Sequence, residues 1–251
     1  MSSINQTTTW IKNPLSIFAE GSDGGVVIKG QKIIELVPLG GSPISNIDET
    51  YDASSSVILP GLINTHHHFY QTLTRAYPEA LNKELFPWLK SLYKVWAHIQ
   101  PEMLAVSTEL ALSELLLSGC TTASDHHYLF PSQLENAIDI QVEEAQKLGM
   151  RVVLTRGSMS LGEKDGGLPP QSVVQSKQDI LIDSERLIKT YHDSKEGAMT
   201  QIALAPCSPF SVTTDLMIET ANLAQQYDVR LHTHLAETID EENFCLEKFG
   251  L

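Results

Sequence analysis

Two histidine-bearing segments gather the residues that can do chemistry. The first is Pro60-Gly61-Leu62-Ile63-Asn64-Thr65-His66-His67-His68. Successive side chains of a strand alternate faces, so His66 and His68 share one face and His67 takes the other. Two imidazoles on one face, at the C-terminal end of an apolar strand, are placed to grip one metal ion. The plain alternatives are solvated loop histidines or core histidines satisfied by hydrogen bonds. Position favours the metal reading, because α/β proteins build sites at the C-terminal mouths of their strands. The second segment is Leu231-His232-Thr233-His234-Leu235-Ala236-Glu237. His232 and His234 again share a face; one is a ligand candidate, the other a packing or supporting residue. Glu237 lies three residues past His234, where strand gives way to loop. A carboxylate there can overhang a metal held by His234 without ligating it, the arrangement of a proton shuttle beside an activated water. Taken alone, Glu237 reads first as one more solvated acid beside Asp240, Glu241 and Glu242.

Other candidates carry less. Gln71, one turn beyond His68, can hydrogen-bond the edge of a heteroaromatic ring. Arg156 offers the same or a surface ion pair. Cys207 and Ser208 follow an apolar run at another strand mouth. Ser208 is a substrate-binding candidate, while Cys207 reads as a pocket wall, a substrate contact or an inert thiol. His126 and His127 can line a pocket but are not assigned as ligands. The aromatic group Phe69, Tyr70, Phe86, Trp88, Tyr93 and Trp96 reads first as core and subunit interface.

These residues need elements to place them. Residues 1–58 are short β-branched runs, such as Gly25–Lys29 and Lys32–Val37, separated by turn residues. They predict part of a small β-sandwich domain. From residue 59 to 251 the pattern alternates strand and helix. Strands are expected at 57–64, 121–124, 151–155, 201–205 and 229–234. Helices are expected at 102–118, with Met103, Val106, Leu110 and Leu117 on the packed stripe, and around Leu134–Leu148. Further helices run through Leu187–Tyr191, after a Thr213 or Thr214 cap, and over 240–249. Near-continuous apolar strands joined by helices predict a parallel sheet, which fits both a doubly wound sheet and a (β/α)8 barrel.

Composition narrows the class. The chain has 251 residues, 42% hydrophobic and 19% charged, with Lys+Arg 17 against Asp+Glu 31 and a net charge of −14. That is a folding, globular composition, and its acidity argues against a nucleic-acid partner. The N-terminal residues Met1–Gln6 lack the pattern of an export signal, and no apolar run is long enough to span a bilayer. Three cysteines without a pairing motif predict reduced thiols and a cytoplasmic location.

Taken together, Pro60-Gly61-Leu62-Ile63-Asn64-x-His66-x-His68 and His234-x-x-Glu237 resemble the amidohydrolase superfamily, in its branch of mononuclear-metal deaminases acting on purines, pyrimidines and triazines. Segments His67–Ala76, Ser124–Tyr128, Cys207–Thr213 and His232–Thr238 strengthen the likeness. The resemblance implies a (β/α)8 TIM-type barrel of the metal-dependent hydrolase kind, of which this chain holds about the first five β/α units, preceded by part of a β-sandwich. It implies His66, His68 and His234 as metal ligands and Glu237 as the acid/base. It implies one divalent ion, zinc first and iron second. The expected reaction is hydrolytic release of ammonia from an oxo/amino heteroaromatic ring, with 8-oxoguanine (giving urate) ahead of a hydroxytriazine or another purine or pyrimidine. The expected partners are that small substrate and further copies of the chain, with no nucleic acid and no membrane. The family pattern also has a histidine after a sixth strand and an aspartate after an eighth, both expected beyond Leu251. The 251-residue chain alone is therefore expected to be inactive. A reading of another class, a truncated non-catalytic relative serving as an interaction module, stands beside the enzyme.

Overall fold

The computed structural model describes residues 7–250. The chain divides into two compact units, Met1–Gly61 and Leu62–Leu251. In the first, strands β1 (Thr8–Lys12), β3 (Gly25–Lys29), β4 (Lys32–Val37) and β5 (Glu49–Asp52) form one sheet in the order β4-β3-β1-β5. β1 runs antiparallel to β3 and parallel to β5. A second, two-stranded sheet pairs β2 (Ser16–Ile17) with β6 (Val57–Ile58). Gly25 holds φ 114°, and a Cβ there would lie 1.9 Å from the Ile11 carbonyl oxygen, so only glycine lets β1 and β3 approach this closely.

The second unit is a parallel α/β layer. Strand β7 (Leu62–Asn64) leads through helices α1 (Leu85–Trp96) and α2 (Pro101–Leu117) to β8 (Cys120–Asp125). Then come α3 (Ala137–Leu148), β9 (Arg151–Ser158), α4 (Lys177–Tyr191), β10 (Thr200–Pro206), α5 (Thr214–Tyr227) and α6 (Ile239–Phe249). The four strands pair in parallel in chain order, β7-β8-β9-β10. The order never reverses, as it must in a doubly wound sheet. Buried Ala123, Val152, Leu154, Ile202 and Leu204 of the strands join Leu104, Ala111 and Leu112 of α2, Ile138 and Val142 of α3, and Leu187 of α4 in one core. No helix among the described residues is long and apolar enough to cross a membrane.

Three local expectations are corrected. The run 57–64 is not one strand: β6 pairs in the first unit and β7 opens the parallel sheet, because Pro60 lacks an N–H and interrupts the ladder. The strand at 229–234 is reduced to an isolated parallel bridge, Leu204 to Leu231, at the sheet's edge. The packed face of α2 is Leu104, Ser107, Thr108, Ala111 and Leu112, whereas Met103, Val106, Leu110 and Leu117 are exposed. This helix is apolar on nearly all sides, so periodicity alone cannot choose its inner face.

Candidate active site

The site stands where β7, β8, β10 and the Leu231 bridge end. His68 is its centre: its Nε2 lies 3.2 Å from Nε2 of His66 and 3.3 Å from Nε2 of His234. A tetrahedral ion with metal–nitrogen bonds of ~2.0–2.1 Å holds its ligand nitrogens about 3.3 Å apart. The remaining ring nitrogens are already engaged. His68 Nδ1 donates to the His126 carbonyl at 2.7 Å, and His234 Nδ1 to the Cys207 carbonyl at 2.8 Å. His66 Nδ1 meets His232 Nε2 at 3.2 Å. The carbonyl bonds fix the tautomers that leave the Nε2 lone pairs free, the supporting arrangement of metal-binding histidines. His232 thus stands behind His66 rather than beside the convergence point.

Electrostatics keep these rings neutral. Burial, reinforced by neighbouring imidazoles, lowers His68 to about 3 and His66 to about 4, and lowers His234 as well. A neutral imidazole is the form that ligates. His126 is fully buried, with neither ring nitrogen bonded, and its ring stacks on His234 at 4.2 Å between centroids. With His66 and His234 it offers nitrogens that all lie within 4.8 Å of one another. The two buried, unpartnered nitrogens of His126, beside the half-buried rings of His68 and His234 and the exposed ring of His66, are costly unless something binds them, so the donor set fits a divalent cation.

Backbone packing holds the carbonyl that anchors His68. His126 N donates to the His67 carbonyl at 2.7 Å, and Gly157 N to the His127 carbonyl at 2.8 Å. A Cβ on Gly157 would sit 2.1 Å from that His127 oxygen, so β9 must carry glycine here. Asp125, fully buried and raised to about 7 by burial, accepts from Phe69 N and Gln141 Nε2, both at 2.6 Å. It ties the turn after His68 to α3.

A cavity of ≈ 130 Å³ adjoins the histidines. His68 and His234 line it together with Gln71, Tyr128, Cys207 and Glu237, and Trp88 and Phe210 are among its apolar walls. The pKa of Glu237 is raised by partial burial and then by the neighbouring Glu241 charge. Burial pushes the Cys207 thiol up to about 12, so it is no nucleophile at neutral pH. Of the three substrate-binding candidates, Gln71 lines the cavity, whereas Arg156 and Ser208 do not. The Arg156 guanidinium is bound to Asp183 at 2.7 Å and Gln175 at 2.9 Å and stacks 3.8 Å over Phe130, which locks β9 to α4. Ser208 is buried against Ser211, with hydroxyl oxygens 2.6 Å apart. Sequence reasoning left Trp88 and Tyr93 in the core and did not single out Tyr128; the Asp125-His126-His127-Tyr128 run closing a short strand was the available signal. A larger groove of ≈ 720 Å³, lined by Ile63, Ala123, Val152, Ala203 and Leu231 among others, gathers no comparable constellation.

Comparison with known proteins supplies the context. The model of the amidohydrolase family matches residues 57–251. An 8-oxoguanine deaminase of Pseudomonas aeruginosa is 62% identical over 246 residues, covering 97% of this chain and 55% of that protein. A hydroxydechloroatrazine ethylaminohydrolase of Pseudomonas sp. (strain ADP) is 33% identical, covering 91% of this chain and 48% of the relative. The chain thus spans about half the length of the curated relatives it matches. Among solved structures, a triazine hydrolase from Arthrobacter aurescens superposes with a TM-score of 0.88 at 29% identity, covering 98% of this chain and 56% of that one. An atrazine chlorohydrolase from the same species, complexed with zinc, gives 0.86 at 29% identity, with 97% of this chain and 56% of that one covered.

Proposed function

The chain belongs to the amidohydrolase family, and on that premise we propose that it is the N-terminal portion of a metal-dependent deaminase acting on an oxo/amino heteroaromatic ring, with 8-oxoguanine the first substrate. The observation that carries this is the convergence of three imidazole Nε2 atoms at 3.2 and 3.3 Å with supporting bonds behind them. His66, His68 and His234 would hold one divalent ion, zinc ahead of iron. When bound, such an ion lowers the pKa of a coordinated water from ~16 towards ~7, making hydroxide available at neutral pH.

The chain's own residues do the rest. Glu237, at the rim of the cavity, takes one proton from water and passes it to a ring nitrogen and then to the departing amino group. A C–O bond forms, the C–N bond breaks and ammonia leaves. Trp88 and Tyr128 offer aromatic surface to a flat ring, and Gln71 a hydrogen-bonding edge. The 62% identity to an 8-oxoguanine deaminase favours the oxidised purine; the likeness to triazine hydrolases supports a hydroxytriazine as the second reading. Retention of His68, His234 and Glu237 in one cavity, with His66 against His68, argues against a non-catalytic remnant.

The unreversed order β7-β8-β9-β10 supports a closed (β/α)8 barrel, completed by strands that pair with the two edges and cover the ≈ 720 Å³ groove. Residues 1–58 then belong to a composite β-domain, and the assembled enzyme is a cytoplasmic homo-oligomer. The test is metal analysis plus ammonia release from 8-oxoguanine, guanine and hydroxytriazines by the complete natural polypeptide. Turnover of 8-oxoguanine with one bound divalent ion is expected. Ammonia release only from an acyclic amide or a nucleoside would overturn the assignment.

A further inference from the structure

Glu241 sits in the first turn of α6, in an acidic run that reads as solvent-facing, yet it is 2% exposed. Its carboxylate accepts from two consecutive backbone amides, Ala236 N to Oε1 at 2.8 Å and Glu237 N to Oε2 at 3.0 Å. No Lys or Arg pairs with it among the described residues. A buried carboxylate without a cation persists only where hydrogen bonds stabilise its charge, and these two amides supply them.

The residue that carries the first of these two amides is strained. Ala236 has φ 56°, in the left-handed region that a Cβ disfavours. The other non-glycine residues in that region, Asn13, Asn82 and Asp228, are of the polar types that adopt it most readily; alanine has no side-chain polar group to help. The turn therefore depends on outside support. It also re-aims the chain just after His234, so that the next side chain, Glu237, reaches the cavity rim beside His68 and His234.

We infer that Glu241 is a positioning residue: it clamps the left-handed turn at Ala236 and so sets the point from which Glu237 moves its proton. This rests on Glu237 being the acid/base. Gln at position 241 keeps the size but only one acceptor oxygen, and its amide group faces one of the two N–H donors. The turn then relaxes and Glu237 shifts, while His66, His68 and His234 keep their own carbonyl and ring contacts.

The experiment uses the complete natural polypeptide loaded with zinc and compares Glu237→Gln, Glu241→Gln and the double variant Glu241→Gln/Ala236→Gly. Glu241→Gln is expected to keep its metal, to lose about 10-fold or more in kcat and to leave KM within about 3-fold, the mark of a misplaced reacting group. Glycine adopts positive φ freely, so Ala236→Gly in that background should restore kcat by about 3-fold or more. A purely structural loss would not be rescued by removing a side chain. Unchanged kcat in Glu241→Gln, or a loss that glycine does not relieve, overturns the inference. Near-normal turnover in Glu237→Gln instead removes the acid/base reading, independently of Glu241. Should Glu241→Gln lose its metal, Glu241→Asp, which keeps the charge but is too short to span both amides, carries the same kcat and KM comparison.

Discussion

His68 has both ring nitrogens committed, one to a carbonyl and one to a point it shares with His66 and His234. His232 hydrogen-bonds the far nitrogen of His66 and packs against the His126 ring, 4.8 Å between centroids. Replacing the two kinds of histidine should therefore separate them. His68→Ala is expected to abolish metal binding in the complete enzyme. His232→Ala should retain the ion with about 10- to 100-fold weaker affinity, the usual cost of losing a supporting partner. Competition with a chelator measures both, and equal losses would place His232 among the ligands. Glu237 has a different signature. Its pKa is raised by partial burial and by Glu241, which brings it closer to the range useful for proton transfer. Glu237→Gln should keep the metal and lose at least ~10² in turnover, checked by metal content and ammonia release on the same sample.

At the scale of elements, the site depends on strand β9, which contributes no ligand. Gly157 lets β9 press against the His127 carbonyl, next to the His126 carbonyl that orients His68. Gly157→Ala forces a Cβ onto backbone that cannot swing aside. Destabilisation of about 3 kcal/mol is expected, at the upper end for overpacking, together with weaker metal binding. Urea unfolding and metal titration test this; a variant as stable as the parent would show that β9 and the 126–127 turn yield without cost. Arg156 illustrates the same dependence. Its buried guanidinium, held by Asp183 and Gln175, fastens β9 to α4, so its contribution is to stiffness rather than to substrate recognition.

For the whole molecule, burial of neutral histidines links folding to pH. His68 and His127 are held to about 3 by burial, against an unfolded value near 6.5. A folded pKa below the unfolded one means that the unfolded chain binds protons first on acidification. Stability from these residues is therefore complete above pH ~6.5 and is lost as pH falls towards 3. His127 is fully buried, so solvent does little to screen its share of this loss. Asp125, raised to about 7 by burial, acts with the opposite sign: it costs stability as pH rises from ~4 to 7 and relieves that cost on acidification. Several histidines outweigh one aspartate. The metal-stripped complete protein should thus unfold at lower urea concentration at pH 5 than at pH 7, and saturating zinc should raise the midpoint at both pH values without removing the difference, because the ion binds rings that are already neutral in the folded state. An unfolding midpoint that does not move between pH 7 and 5 in the stripped protein would contradict the buried, neutral state of these histidines.

Local pattern was enough for several features of the fold and the site. The His66-x-His68 spacing marked a pair of ligand candidates, although β7 ends at Asn64 and both histidines lie just beyond it; the offset between His234 and Glu237 marked a possible shuttle, and most helices and strands followed from 3.6- and 2-residue periods. Other features depend on contacts that pattern cannot carry. Periodicity could not choose the inner face of the nearly all-apolar α2, because burial depends on what packs against it. In the sequence Arg156 and Ser208 stand near strand ends much as Gln71 does, yet only Gln71 reaches the cavity: Arg156 falls inside β9 and is engaged by Asp183 and Gln175, and Ser208 is buried against Ser211. Glu241 looked like its exposed neighbour Glu242; only the fold brings the amides of a left-handed turn to its carboxylate. Local sequence sets backbone preference and side-chain periodicity, whereas the partners that bury, orient and charge a group come from elsewhere in the chain and exist only once it has folded.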